Sequence, residues 1–341
     1  MLRLAAELGL SGRLCERTPP AQLEELLGLA AARRLAFQQL QLRAVNRALA
    51  GALSTVVEVA GQKGVEVVLL KHAALWASGA ITEGQRDARD IDVLVSETDA
   101  ETLWQGLCAE GYRSVGNAGP DYHLPALVSA SGACVELHHR VWGVELAPDE
   151  PVTSATLVRA GLTAPSPTAA HVHVPVRDFL IAHALVHGLA QHLTSPSSYA
   201  PLRVIGDLFA LGAFHRKPQD IARFLGNALD VETVQAALDV ARALANGASL
   251  FSLESDAAAL LSHIVAASSD RRYGMALRAH RLWELHERGE LLRAGIRFLT
   301  SPASAAIETP SPYAPATLGE RAREGWELLL GVLAHAQLRK P

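Results

Sequence analysis

The sequence predicts an α+β chain, a mixed sheet core between an N-terminal helical segment and a C-terminal helical part. Three observations carry this. Long stretches on either side repeat apolar residues at helical spacing, and short β-branched runs, "VEVVLL" (Val65 to Leu70) and "DIDVLV" (Asp90 to Val95), lie between them. The segments "YHLPALVS" and "ACVELHHRVW" flank the turn "ASG", as the strands of a hairpin do. With 341 residues and 49% hydrophobic content the chain can bury a sizeable core, and its length suggests two or three domains.

The elements follow in order. Thr18-Pro19-Pro20 is a cap with proline at a helix start; Leu23, Leu26, Leu27 and Ala30 open an amphipathic stripe that one long helix or two stacked ones continue to Gly61 and Gly64. Val65 to Leu70 is a buried strand, "KHAALWAS" a helical turn or two, "GAITEGQ" a loop and "DIDVLV" the next strand. Ser96 to Gly111 starts with capping residues and ends with glycine, which predicts a surface helix. After the hairpin, Glu145 to Thr168 is rich in Pro, Ala, Ser and Thr and reads as a link, with "HVH" (His171 to His173) in an exposed strand or loop. From Val176 onward the pattern is helical, with breaks near Ser195 to Pro201, Lys217-Pro218 and Ser301 to Pro315. The expected division is 1–64 helical, 65–144 α/β core, 145–175 linker and 176–341 helical domain, with no internal repeat.

Composition narrows the function classes. A formal net charge of -4 gives no chain-wide basic field for nucleic acid. Cys15, Cys108 and Cys134 are odd in number and far apart, which argues for a reducing compartment and hence the cytoplasm. No uncharged run approaches the roughly 20 residues of a bilayer span, so no signal peptide and no membrane partner are expected.

The chemistry starts at "RDARDIDVLV". Alternation points Asp90 and Asp92 one way and Ile91 and Val93 the other, so two carboxylates share a face and raise each other's pKa unless cations compensate. The same parity groups Cys134, Glu136 and His138. If the hairpin strand lies beside the Asp90 strand, Glu136 becomes a third acid on that face. Three converging acids suit a hard divalent ion, Mg²⁺ or Mn²⁺, and two such ions about 3.5–4 Å apart can activate a hydroxyl and neutralise a leaving pyrophosphate.

"VVLLKHAALWASGA", "RDARDIDVLV", "GYRS", "YHLPAL" and "CVELHHRVW" together resemble the uncharacterised nucleotidyltransferase family of the DNA polymerase beta superfamily. The likeness extends through "DFLIAHALVHGLAQHL" and "LRVIGDLFAL", about Val65 to Gly212. It implies a nucleotidyltransferase-like core in which Asp90 and Asp92 hold the metal and Glu136 completes the site and assists deprotonation. Lys71 would sit at the nucleotide-contacting turn and Arg86 would be the motif arginine, both neutralising phosphate. The implied reaction moves a nucleoside monophosphate from an NTP, ATP being the expected one, to a small-molecule, protein or RNA acceptor. His72 departs from the pattern by replacing the family's glycine, so its imidazole either blocks the triphosphate or contacts it. "VELHW" stands here as "VELHH", with Trp142 further on.

Two other readings compete. A catalytically degenerate member that binds a nucleotide or a protein partner is favoured by His72 and disfavoured by the three acids. A zinc site on His183 and His187, spaced i, i+4, lacks an identifiable third ligand, so packing is the simpler account. Arg203 and Asp207, at the same spacing, read as an ion pair within or between helices.

Overall fold

The computed structural model describes residues 11–115, 122–147, 150–166, 169–191, 202–226, 228–247 and 253–269. Two short helices, α1 (Ser11–Arg17) and α2 (Pro20–Leu27), lead into the 35-residue α3 (Leu29–Lys63). Its buried residues Leu49, Ala52, Val56, Val59 and Ala60 recur at helical spacing, and Gly64 ends it in the left-handed conformation. Then come β1 (Val67–Leu69), α4 (Lys71–Ala77), β2 (Asp90–Leu94), α5 (Glu97–Ala109), β3 (Arg113–Val115), β4 (Ala126–Val128), β5 (Cys134–His138), β6 (Val141–Glu145) and β7 (Pro151–Val152). The order continues with α6 (Ser154–Arg159), β8 (Thr163–Ser166), β9 (Ala169–Pro175), α7 (Arg177–Leu185), a π-helical turn (Val186–Gln191) and α8 (Leu202–Ala210). A 3₁₀ turn (Ala213–His215), α9 (Pro218–Ala222), α10 (Val231–Ala245) and α11 (Ser255–Ser269) complete the described chain. The fold is α+β. No described helix is long and apolar enough to cross a membrane.

Seven strands form one mixed sheet in the order β3-β4-β5-β2-β1-β9-β8, while β6 and β7 pair separately. The hairpin is β4 antiparallel to β5, and β5 lies parallel to β2. Ile91, Val93, Val135 and Leu137 share one face of the central pair and are fully buried. Helices α3 and α5 pack against the sheet and against each other. Their contact requires Gly106, where an added Cβ would lie 2.6 Å from a Val59 methyl.

The stretch 145–175 is not a linker. Thr153 and Thr156 form a reciprocal capping box that starts α6, and β9 pairs in parallel with β1, setting Val172 beside Val67. Its Pro, Ala, Ser and Thr content reads as a loop, but the threonines cap a helix and "AAHVHVP" supplies an inner strand. "HVH" therefore lies inside the sheet, with His171 Nε2 2.9 Å from the Val57 carbonyl. Among the described residues one apolar cluster runs from Leu49 to Ile264, so the sheet and the helices after Val176 share a core. The expected breaks at 195–201 and 301–315 lie outside the described residues.

The loop between α4 and β2 is pinned from two sides. Asn46 on α3, fully buried, donates to the Arg86 carbonyl at 3.3 Å and accepts from the Gly84 N–H at 3.2 Å. Arg86 grips Asp207 of α8 bidentately at 2.7 and 2.8 Å, and Arg203 pairs with Asp87. Arg203 and Asp207 thus both pair with this loop. Because Asn46→Leu would strand one buried donor and one acceptor, it should cost about 1–3 kcal/mol. Urea unfolding should show a lowered midpoint at unchanged slope.

Candidate functional site

The parallel register of β2 and β5 builds the site. Asp92 lies opposite Glu136 and Asp90 opposite Cys134, so all three predicted acids face the same side of the sheet. Asp92 is fully buried. Its Oδ1 accepts from Lys71 Nζ at 2.7 Å and lies 2.9 Å from His138 Nε2, while its Oδ2 has no protein partner. His138 Nε2 also lies 3.5 Å from Glu136 Oε2. The Tyr122 ring stacks on His138 with centroids 5.9 Å apart, and Gln191 Nε2 donates to the Tyr122 hydroxyl at 3.1 Å.

Lys71 reaches Asp92 because the chain turns sharply from β1 into α4. Leu70 is still extended and its N–H bonds the Asp92 carbonyl, whereas Lys71 has φ 42°, the one positive φ outside glycine among the described residues. That region strains a residue with a Cβ, and such strain gathers at functional sites.

These contacts sort the charges. Burial and then the Asp92 charge push the Asp90 carboxyl up to about 7, with Lys71 partly opposing. Burial alone would raise Asp92, but Lys71 and His138 outweigh it and hold the carboxyl well below the usual range. Glu136 is also lowered, its hydrogen bond to His138 overcoming burial. His138 is raised despite burial by its bonds to Asp92 and Glu136, and Lys71 is raised despite burial by the acids around it. The crowded carboxylates are thus compensated mainly by Lys71 and His138.

With this geometry in view, a family model for an uncharacterised nucleotidyltransferase matches residues 1–247. The chain belongs to that nucleotidyltransferase family. No match was found among curated proteins.

The acid face of this family member fits a divalent ion. Asp92, Glu136 and His138 each offer a ligand atom, all within 4.8 Å of one another, and the orphaned Asp92 Oδ2 is a buried acceptor that a cation would satisfy. Asp90 stands outside that group. His138 shares strand parity with Glu136, which is legible in "VELHH"; Tyr122 and Gln191 lie in segments that carry the family resemblance, but neither residue is singled out by it.

Two of the expected nucleotide contacts, Arg86 and His72, have packed surroundings. Arg86 holds Asp207 with both its Nε and a terminal nitrogen, so it clamps a loop to α8. His72 is 1% exposed, with Trp76 5.8 Å away and no hydrogen bond to either ring nitrogen. The position after Lys71 turns inward, so the ring packs behind the turn. His183 and His187 line a cavity of about 20 Å³ with Lys71, Arg86 and Asp207, and among the described residues no third metal ligand joins them. Burial, then Lys71, lowers His183 to about 3.

Burial, and secondarily Arg86, lowers His72 to about 3. The fold therefore refuses a proton that the unfolded chain binds below about 6.5. Stability should fall as pH drops below about 6.5, by up to about 1.4 kcal/mol per pH unit from this group, until the folded value is reached. His72→Leu should flatten that loss, read as a smaller drop in melting temperature between about pH 7 and pH 4. Parallel curves for parent and variant would place His72 in contact with solvent.

Proposed function

We propose that this protein transfers a nucleoside monophosphate from an NTP, ATP being the expected donor, to a hydroxyl, amine or phosphate of a small-molecule, protein or RNA acceptor, with Mg²⁺ or Mn²⁺ as cofactor. The observation that carries the reading is the buried Asp92 opposite Glu136, with an unpartnered oxygen turned to the shared face. Asp92 and Glu136 would hold the ion, with Asp90 beside them on the same strand face. An ion bound there supplies Lewis-acid polarisation of the α-phosphate and lowers the pKa of the acceptor group.

The chain's own residues have separate tasks. The Lys71 ammonium, 2.7 Å from Asp92 and 20% exposed on its side chain, is placed to meet a phosphate beside the acids, and its strained backbone fixes where it stands. Glu136, with its side chain 26% exposed, is open to an acceptor and can take the proton released as the new P–O or P–N bond forms and the bond to pyrophosphate breaks. Arg86 acts at a distance, fixing through Asp207 and Asn46 the loop that delivers β2.

A second reading, a degenerate member that binds nucleotide or a protein partner without turnover, draws support from Lys71 and His138, which already neutralise Asp92. Label transfer from α-labelled ATP into the small-molecule, protein and RNA fractions of a lysate separates the two. The transferase reading expects Mg²⁺- or Mn²⁺-dependent labelling that falls at least about 100-fold in Glu136→Gln, while the variant melts within a few degrees of the parent. ATP binding with no labelled product under either ion would favour the degenerate reading.

A further inference from the structure

We infer that the ion position at Asp92 is built with a nitrogen donor, the His138 imidazole, and so selects Mn²⁺ over Mg²⁺. This rests on the metal part of the reading above and not on nucleotidyl transfer.

The ligand set is mixed. The ligand atoms that converge are one oxygen each from Asp92 and Glu136 and a ring nitrogen of His138, whereas Asp90, the second acid of the strand, is outside the group. The imidazole is fixed in place. His138 is 5% exposed, the Tyr122 ring lies nearly parallel to it with centroids 5.9 Å apart, and Gln191 holds the Tyr122 hydroxyl, so the stacking partner is itself anchored and swinging the His138 ring aside would break the stack. Its Nε2 sits 2.9 Å from Asp92 Oδ1 and 3.5 Å from Glu136 Oε2, contacts that are hydrogen bonds without an ion; an ion entering there takes the place of the Nε2 proton, which is released to solvent, and finds the three atoms near the roughly 3 Å spacing of adjacent ligands. An ion that binds both carboxylates therefore meets the ring nitrogen as a neighbour. The fully buried, unpartnered Asp92 Oδ2 independently marks the position as incomplete without a cation.

Ion chemistry then decides between the candidates. Mg²⁺ demands oxygen ligands in near-ideal octahedral geometry and retains its waters, so a rigid imidazole at one vertex replaces a good ligand with a poor one. Mn²⁺ shares the carboxylate preference of Mg²⁺ but, as the first member of the transition-metal affinity series for nitrogen and oxygen sites, loses less than Mg²⁺ when one ligand is an imidazole. Lys71, which also bonds Asp92 Oδ1, competes against either ion alike and cancels from the comparison.

The test uses the full chain without nucleotide. Mn²⁺ binding is titrated by electron paramagnetic resonance and competed with Mg²⁺, giving the ratio of the two affinities for the parent and for His138→Asp. The ratio should fall at least about tenfold in the variant, whose site is then all oxygen. Pulsed resonance on Mn²⁺-loaded parent should also show imidazole-nitrogen modulation that disappears in His138→Gln. A ratio unchanged in a folded variant would overturn the inference, as would a parent spectrum without nitrogen modulation; the latter decides the matter even if neither variant folds. Mg²⁺-dependent transfer activity together with a nitrogen-free spectrum would remove this inference alone. Absence of binding by either ion would remove the metal reading with it.

Discussion

Asp92 carries a carboxylate at zero exposure on the central strand of a seven-stranded sheet, where an uncompensated charge would cost several kcal/mol. The surrounding structure can be understood as the means of tolerating it. Lys71 and His138 both meet one of its oxygens, and the second oxygen is left facing the shared side of β2 and β5. Breaking either contact would leave a buried ion short of a partner, so the same two groups that tune the site also hold the sheet and α4 in register.

That arrangement requires precision in three separate segments. β1 must end in an abrupt turn so that Lys71 points back across β2, and the chain accepts a left-handed lysine there. β5 must run parallel to β2 in the register that sets Glu136 against Asp92, because a one-residue slip would turn the glutamate to the apolar face. The loop into β2 must arrive at a fixed place, which Asn46 secures from α3 and Arg86 with Asp207 secures from α8. The helices after Val176 are therefore part of the site's support, and their core is continuous with that of the sheet among the described residues.

Much of this was legible because it follows from alternation. Parity groups Asp90 with Asp92 in "DIDVLV" and Glu136 with His138 in "CVELHH", and the short hairpin turn predicts which strands pair locally; that the two groups share a face follows only once β5 lies beside β2. What alternation does not carry is long-range partnership. Nothing in the spacing of Arg203 and Asp207 reveals that each binds the loop before β2, because the two residues sit at a spacing that by itself suits a local pair. The segment 145–175 misled through composition, since proline and threonine mark turns and also cap helices and edge strands. The burial of His72 was not legible either: a position where glycine is usual suggests closeness to a ligand, and the spacing does not say that the ring packs in the interior behind the turn.

The account depends on the acid face of β2 and β5 being an ion-binding surface. Anomalous diffraction from crystals soaked in Mn²⁺ tests it directly. The expected result is a peak within about 2.0–2.4 Å of an Asp92 and a Glu136 oxygen, with the Lys71 ammonium drawn away from Asp92. A map with no peak there and the Lys71–Asp92 pair intact would show a structural ion pair instead, and would contradict the account.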